Sequence, residues 1–216
     1  SLVGSEMCIR DRYEIYTRYS YSSNEKQGLS NPVVGRTIED KNGNLWIGTE
    51  GGGLNYFNRR TREFKWYRPQ EGRNSISHNN VKALYYDADK EIIWIGTHLG
   101  GMNRLDIRSG HFTHYRMEDN NQQTLPSDIV RDIIPYKDLL IVATQNGVCL
   151  FEPDSGKCRQ LFKDSKEGKS IKMVADILLD SEGTLWIAAT GEGVFSYRFD
   201  TRKLTNYRHD SANPNS

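Results

Sequence analysis

The stretch "GNLWIGTEGGGLNYF", residues 43–57, sets two β-prone runs on either side of three consecutive glycines. The same construction returns as "IIWIGTHLGGMNRL" at residues 92–105 and as "GTLWIAATGEGVFSY" at residues 183–197. Aligned on Trp46, Trp94 and Trp186, with Ile141 in a weaker third copy, the units repeat at intervals of 48, 47 and 45 residues. An apolar segment precedes each: Val34 and Thr37, Val81 and Leu84, Val130 and Ile133, Val174 and Ile177. A glycine and an apolar residue follow, at Gly53-Leu54, Gly101-Met102, Gly147-Val148 and Gly193-Val194. Farther on comes an aromatic pair three apart, Phe64 with Tyr67 and Phe112 with Tyr115. It softens to Cys158 with Leu161 and then to Leu204 with Tyr207.

Each unit therefore contains four short β-type runs separated by turns. The first turn, "DKNGN" at 40–44 or "DSEGT" at 180–184, carries the Asn-Gly or Glu-Gly that supplies positive φ in tight hairpins. No segment shows sustained helical periodicity. A period in the mid-40s with four strands per unit predicts an all-β fold, a partial β-propeller of about four four-stranded blades. The blades are expected at about residues 33–67, 81–115, 130–161 and 174–207. A leading outer strand at 13–21, marked by Tyr16 and Tyr19, is expected to belong to a preceding blade, which makes residues 13–216 an open arc of a larger ring. Blades stack face to face, so both sides of "LWIGT" are expected to be buried, and the tryptophans are expected in blade-to-blade packing. The glycine cluster is expected to serve a tight turn near the crowded channel end of the blade, where a Cβ would clash or force the wrong φ.

The pattern V-x-x-I-x-x-D-x-x-G-x-L-W-I-G-T-x-x-G-G-L followed by F-x-x-Y resembles the two-component regulator propeller repeat. The first, second and fourth copies carry it well. The third departs, with Ile141 for the tryptophan and Tyr136 for the aspartate, and its blade is expected to be the loosest packed. The resemblance implies the periplasmic sensing propeller of a hybrid two-component histidine kinase and response regulator, anchored in the inner membrane of a bacterium. It further implies an oligosaccharide or similar small ligand, and a homodimer formed through the parent sensor region.

The first twelve residues fit no repeat. Residues 2–11 resemble a transposon-end sequencing adaptor translated in one frame, and residues 1–12 are set aside as a non-native segment. Charge is balanced, with 29 basic and 28 acidic residues, so the composition gives no support for a nucleic-acid partner. No apolar run approaches the ~20 residues of a spanning helix. Three cysteines are too few for a disulfide scaffold. Cys149 and Cys158 fall on adjacent strands of the third blade; two separate buried thiols are the plainer expectation, and a bridge stays open.

Strand alternation within a blade puts the second turns and the inter-unit loops on one face. That face is expected to collect Glu50, His98, Gln145 and Glu192 from the turns, with His78, Asn79, Asn80, Asn121 and Asp128 from the loops. Long polar loops on a rigid scaffold are where binding residues gather, and these groups can hydrogen-bond sugar hydroxyls or a partner's backbone. The histidines show no metal-ligand spacing, and neither a metal site nor a cofactor is expected. Asp40, Asp87 and Asp180 are expected to bond the local backbone at turns. No Ser-His-Asp order, kinase motif or carboxylate convergence on the central channel is legible, so the chain is not expected to be an enzyme itself. A protein-interaction scaffold is the second reading, and a propeller lyase the third.

Overall fold

A computed structural model describes residues 17–163, 168 and 171–209. The first blade comprises β1 (Val34–Glu39), β2 (Leu45–Thr49), β3 (Leu54–Asn58) and β4 (Glu63–Tyr67). The second comprises β5 (Val81–Asp87), β6 (Ile92–Thr97), β7 (Met102–Asp106) and β8 (His111–Tyr115). The third comprises β9 (Val130–Tyr136), β10 (Leu139–Thr144), β11 (Gly147–Phe151) and β12 (Cys158–Gln160). The fourth comprises β13 (Val174–Leu179), β14 (Thr184–Ala189), β15 (Gly193–Arg198) and β16 (Lys203–Tyr207). Each blade is one antiparallel sheet with its strands in sequence order, and the first strands of successive blades lie side by side. This is an all-β propeller arc. Among the described residues its two end faces are left open: Val34 at one end, and Leu178, Val194 and Tyr207 at the other, remain exposed.

The tryptophan repeat has a common geometry. The rings of Trp46 and Tyr67, Trp94 and Tyr115, and Trp186 and Tyr207 lie 5.6, 5.9 and 5.9 Å apart, inclined at 31°, 35° and 33°. Trp46 and Trp94 are buried by the following blade, whereas Trp186, on the open face of the fourth, is only half-buried. The indole N–H of Trp46 donates to Asp40 at 3.2 Å, and that of Trp186 to Asp180 at 2.7 Å. Both aspartates also accept from backbone N–H groups of their own turns. Asp87 accepts from the Lys90 backbone, in keeping with a turn role.

Three cores fill the spaces between blades. Trp46 and Leu54 meet Val81, Leu84, Ile93 and Ile95; Trp94 and Met102 meet Val130, Ile133, Val142 and Phe151; Ile141 and Val148 meet Val174, Ile177 and Ile187. Glycine decides how closely the blades approach. A Cβ at Gly48 would lie 2.7 Å from Val81 Cγ1, and one at Gly96 would lie 2.6 Å from Val130 Cγ1. A small group on one blade thus receives the first valine of the next.

Three expectations change. The second-turn glycines Gly53, Gly101 and Gly193 are not crowded by the channel. Their φ values are +82°, +70° and +89°, and a Cβ would fall 2.2–2.3 Å from the carbonyl oxygens of Tyr67, Tyr115 and Tyr207 on the outer strands. The third blade is not loose. Its β10 and β11 are almost wholly buried because blades flank it on both sides, with Phe151 packed edge-on against Trp94 at 5.4 Å. What is reduced is β12, three residues against five in the other outer strands. Finally, residues 17–20 form no strand. Residues 1–16, which hold the set-aside segment and Tyr16, lie outside the described residues. Among the described residues this segment joins no sheet. Tyr19 instead packs on Phe57 at 4.6 Å, and Tyr21 makes one isolated bridge to Leu29.

The inter-blade loops run along the outer strands. The backbone N–H of Trp66 donates to Glu25, that of Phe112 to Asn74 and that of Cys158 to the Gln123 carbonyl. Gly101→Ala should lower unfolding free energy by about 3 kcal/mol, combining a left-handed backbone with a clash against a carbonyl. Gly72→Ala has the same sign of φ, +66°, but open space around it; it should cost only about 1 kcal/mol. Urea unfolding of the two variants checks this, and equal losses would refute the close-approach argument.

Candidate functional site

The second turns and the loops entering the next blade interlock through the backbone. Glu50 bridges to Asn80, and the N–H groups of Gly51 and Gly53 both donate to the Asn79 carbonyl. The His98 N–H donates to the Asn80 carbonyl, and Gly101 N–H to that of Asp128. Gln145 N–H donates to Ile129, and the Gln145 carbonyl accepts from Met173. The face expected to carry binding groups is therefore one continuous hydrogen-bonded surface, because the glycines leave N–H groups pointing at the neighbouring loop.

Among the expected residues, Glu50, His78, Asn79, Asn80 and His98 come together between the first and second blades. The rings of His78 and His98 are 6.5 Å apart. His78 Nδ1 accepts from the Asn80 backbone at 3.1 Å, and burial, with His98 and Arg116 nearby, holds its pKa below the ordinary imidazole value. Lys82 pairs with Glu50 and, through that contact, lowers its carboxyl pKa. Two atoms here are buried without a partner: Asn80 Oδ1 and His98 Nδ1. Burying a polar atom unpaired is costly, which sets these two apart from the satisfied groups around them.

The other expected residues are dispersed. Asp128 is committed to structure, its carboxylate accepting from Met117 N–H at 2.8 Å. Gln145 sits at the corresponding turn of the third blade, and Glu192 closes its own turn onto Ala189. Asn121 does not reach the others, because its loop turns outward along β12. There its side chain bonds Glu118 at 2.8 Å, and it lines a groove of about 750 Å³ with Gln123, Lys157, Arg159 and Gln160. Among the described residues no cluster of three or more His, Cys, Asp or Glu is placed to hold a metal.

The channel corrects the sequence reading, which found no carboxylates converging there. Arg36 on β1 reaches across to Asp132 on β9 at 3.2 Å and to Asp176 on β13 at 3.4 Å, using one guanidinium nitrogen for both. Asp132 is buried. Burial first, and then the Asp176 side chain, pushes its pKa up to about 6, against the opposing pull of Arg36. The signal was present in the sequence: Arg36, Asp132 and Asp176 each stand two residues after the first valine of their unit.

Comparison with known proteins adds the following. Residues 28–51 and 75–98 match the family described as two component regulator propeller. These segments hold Trp46 with Gly48 and Trp94 with Gly96. Among solved structures, the chain is similar to BT3049 of B. thetaiotaomicron, described as the extracellular domain of a hybrid two component system. The identity is 24%, the TM-score 0.76, and the match covers 89% of this chain and 27% of that one. It is also similar to two structures of the extracellular domain of BT4673 from the same organism, described once as a one component and once as a hybrid two component system. Their TM-scores are 0.71 and 0.70 at 23% identity, with 90% of this chain covered in each case, and 27% and 26% of theirs. The chain thus spans about a quarter of the length of these structures. No curated protein matches it. Among the described residues no helix is long and apolar enough to cross a membrane.

The Asp132 shift fixes a pH dependence. Its folded-state pKa lies above the unfolded value, so its contribution to stability is full below about pH 4 and is lost as pH rises through about 6. Asp132→Asn keeps an acceptor for the Ile133 N–H and for Arg36 while removing the charge. It should flatten the stability slope between about pH 4 and 6 and be at least as stable as the parent at pH 7. Thermal unfolding across that range is the check, and an unchanged slope would refute the assignment.

Proposed function

We propose that this chain is part of the periplasmic ligand-sensing propeller of a hybrid two-component histidine kinase, whose membrane-anchored parent signals as a homodimer. The chain itself performs no catalysis in this reading. Its ligand is an oligosaccharide bound on the loop face. The matching family segments and the four-blade arc support the sensor class. The observation that carries the binding site is the grouping of Glu50, His78, Asn79, Asn80, Lys82 and His98 at one blade boundary, where Asn80 and His98 each keep an atom without a partner. Hydroxyl groups of a neutral sugar both donate and accept, and so suit a mixed set of amide, imidazole, carboxylate and ammonium groups without a metal.

A sensor of this kind converts ligand affinity into a population shift between arrangements of its domains. The interlocked loop face suits that role, since it couples a ligand at one blade boundary to the loops of the next.

Isothermal titration of the purified chain against a panel of neutral oligosaccharides tests the reading. At least one should bind, and Asn80→Ala and His98→Ala should each weaken it by about 5- to 30-fold, the loss of one or two hydrogen bonds. Binding that both substitutions leave untouched would move the site elsewhere. A second reading, an interaction scaffold, draws on the open face of the fourth blade, where Leu178, Val194 and Tyr207 are exposed beside Trp186. Capture of a protein ligand through Leu178 and Tyr207, with no sugar bound, would favour it.

A further inference from the structure

We propose that Cys149 and Cys158 form a disulfide when the chain folds in an oxidising medium, fixing the short outer strand of the third blade to its neighbour. In the β11–β12 ladder Cys149 pairs with Gln160 and Phe151 with Cys158. The two cysteines are therefore diagonal neighbours two positions apart, and their side chains leave the same face of the sheet. Both enter the core between the second and third blades and both are buried, as free thiols in this structure. They are close enough that the Cys158 side chain adds to the burial that already pushes the Cys149 thiol up.

Comparison of the blades shows what the pair replaces. The position of Cys149 is Asn55 in the first blade and Asn103 in the second. Those asparagines accept from the Ser30 and Ser77 backbones at 2.8 Å and donate to the serine hydroxyls at 2.7 and 2.8 Å, clamping the incoming loop to the sheet. The position of Cys158 is Phe64 or Phe112, large rings that pin the outer strand to the core. The third blade loses the clamp and the ring together, and its outer strand is the one cut to three residues. A covalent tie between these two positions supplies what both changes remove.

The bond is made by thiol–disulfide exchange with a small disulfide such as oxidised glutathione. One cysteine thiolate attacks a glutathione sulfur and releases one glutathione thiolate. The second cysteine then attacks the mixed disulfide and releases the other. The two protein thiols give up two protons and two electrons, and one glutathione disulfide becomes two thiols. In the folded blade the raised Cys149 thiol and its burial disfavour the thiolate, so the exchange belongs to folding, before the second blade closes over the pair. The inference rests on the periplasmic reading only for where the oxidising medium is met.

The test uses the full chain with Cys8→Ser, refolded with oxidised glutathione or with a reductant, then denatured, alkylated and mapped by mass. The expected result is a linked peptide pair containing unalkylated Cys149 and Cys158 in the oxidised sample only. The oxidised form should melt about 5 °C or more above the reduced one, and Cys158→Ser should abolish the difference. Alkylation of both cysteines after oxidative refolding, or a bridged form that melts no higher than the reduced form, would overturn the proposal. Neither result bears on sugar binding, which the titration above reads separately.

Discussion

The close approach of one sheet to the next is the constraint on which the remaining structure depends. Val81 and Val130 sit where a Cβ at Gly48 or Gly96 would lie within 2.7 Å. At these two boundaries a residue without a side chain leaves that space, and at that separation the tryptophans are covered by the next blade. A larger residue there would force the blades apart, and the dispersion contacts of an entire face would weaken together. The third blade uses Ala143 at the same place, facing the fourth, and the fourth has Ala188 there on its open face.

The turn glycines act in a different direction. By bringing the second turn against the outer-strand tyrosine carbonyl, they leave N–H groups free to bond the loop that enters the next blade. The loop face is consequently tied together by backbone bonds, with side chains such as Asn103 and Asp128 adding to them. Side chains such as Asn80 and His98 are then available for other partners, and the same rigidity holds two buried polar atoms in place without internal satisfaction.

The arc was legible because its determinants are local and repeated. The tryptophan spacing, the Asn-Gly turn and the glycine pair each act within a dozen residues, so a single unit shows them all. What escaped notice depends on contacts between units. Arg36 meets Asp132 and Asp176 only because three inner strands converge, and the one trace of this in the sequence is their shared place two residues after the first valine of each unit. The packing of the third blade was misjudged for a related reason. Losing its tryptophan looked like a loss of core, but its blade is flanked on both sides, with Ile141 packed on the fourth blade and Phe151 supplying an aromatic toward the second. Asn121 was grouped with the loop face because the turn of its loop toward β12 is set by a backbone bond to Cys158 that no spacing reveals.

The bonds from Glu25, Asn74 and Gln123 to the outermost strands carry a consequence for how this molecule meets others of its kind. A strand edge with free N–H groups is a template on which further strands can zip, the route by which many β-rich proteins form fibrils. In the first three blades part of that template is already occupied by the chain's own loops. Lateral zippering along those edges is thereby blunted, and the apolar surface left bare lies instead on the blade face of Leu178 and Tyr207.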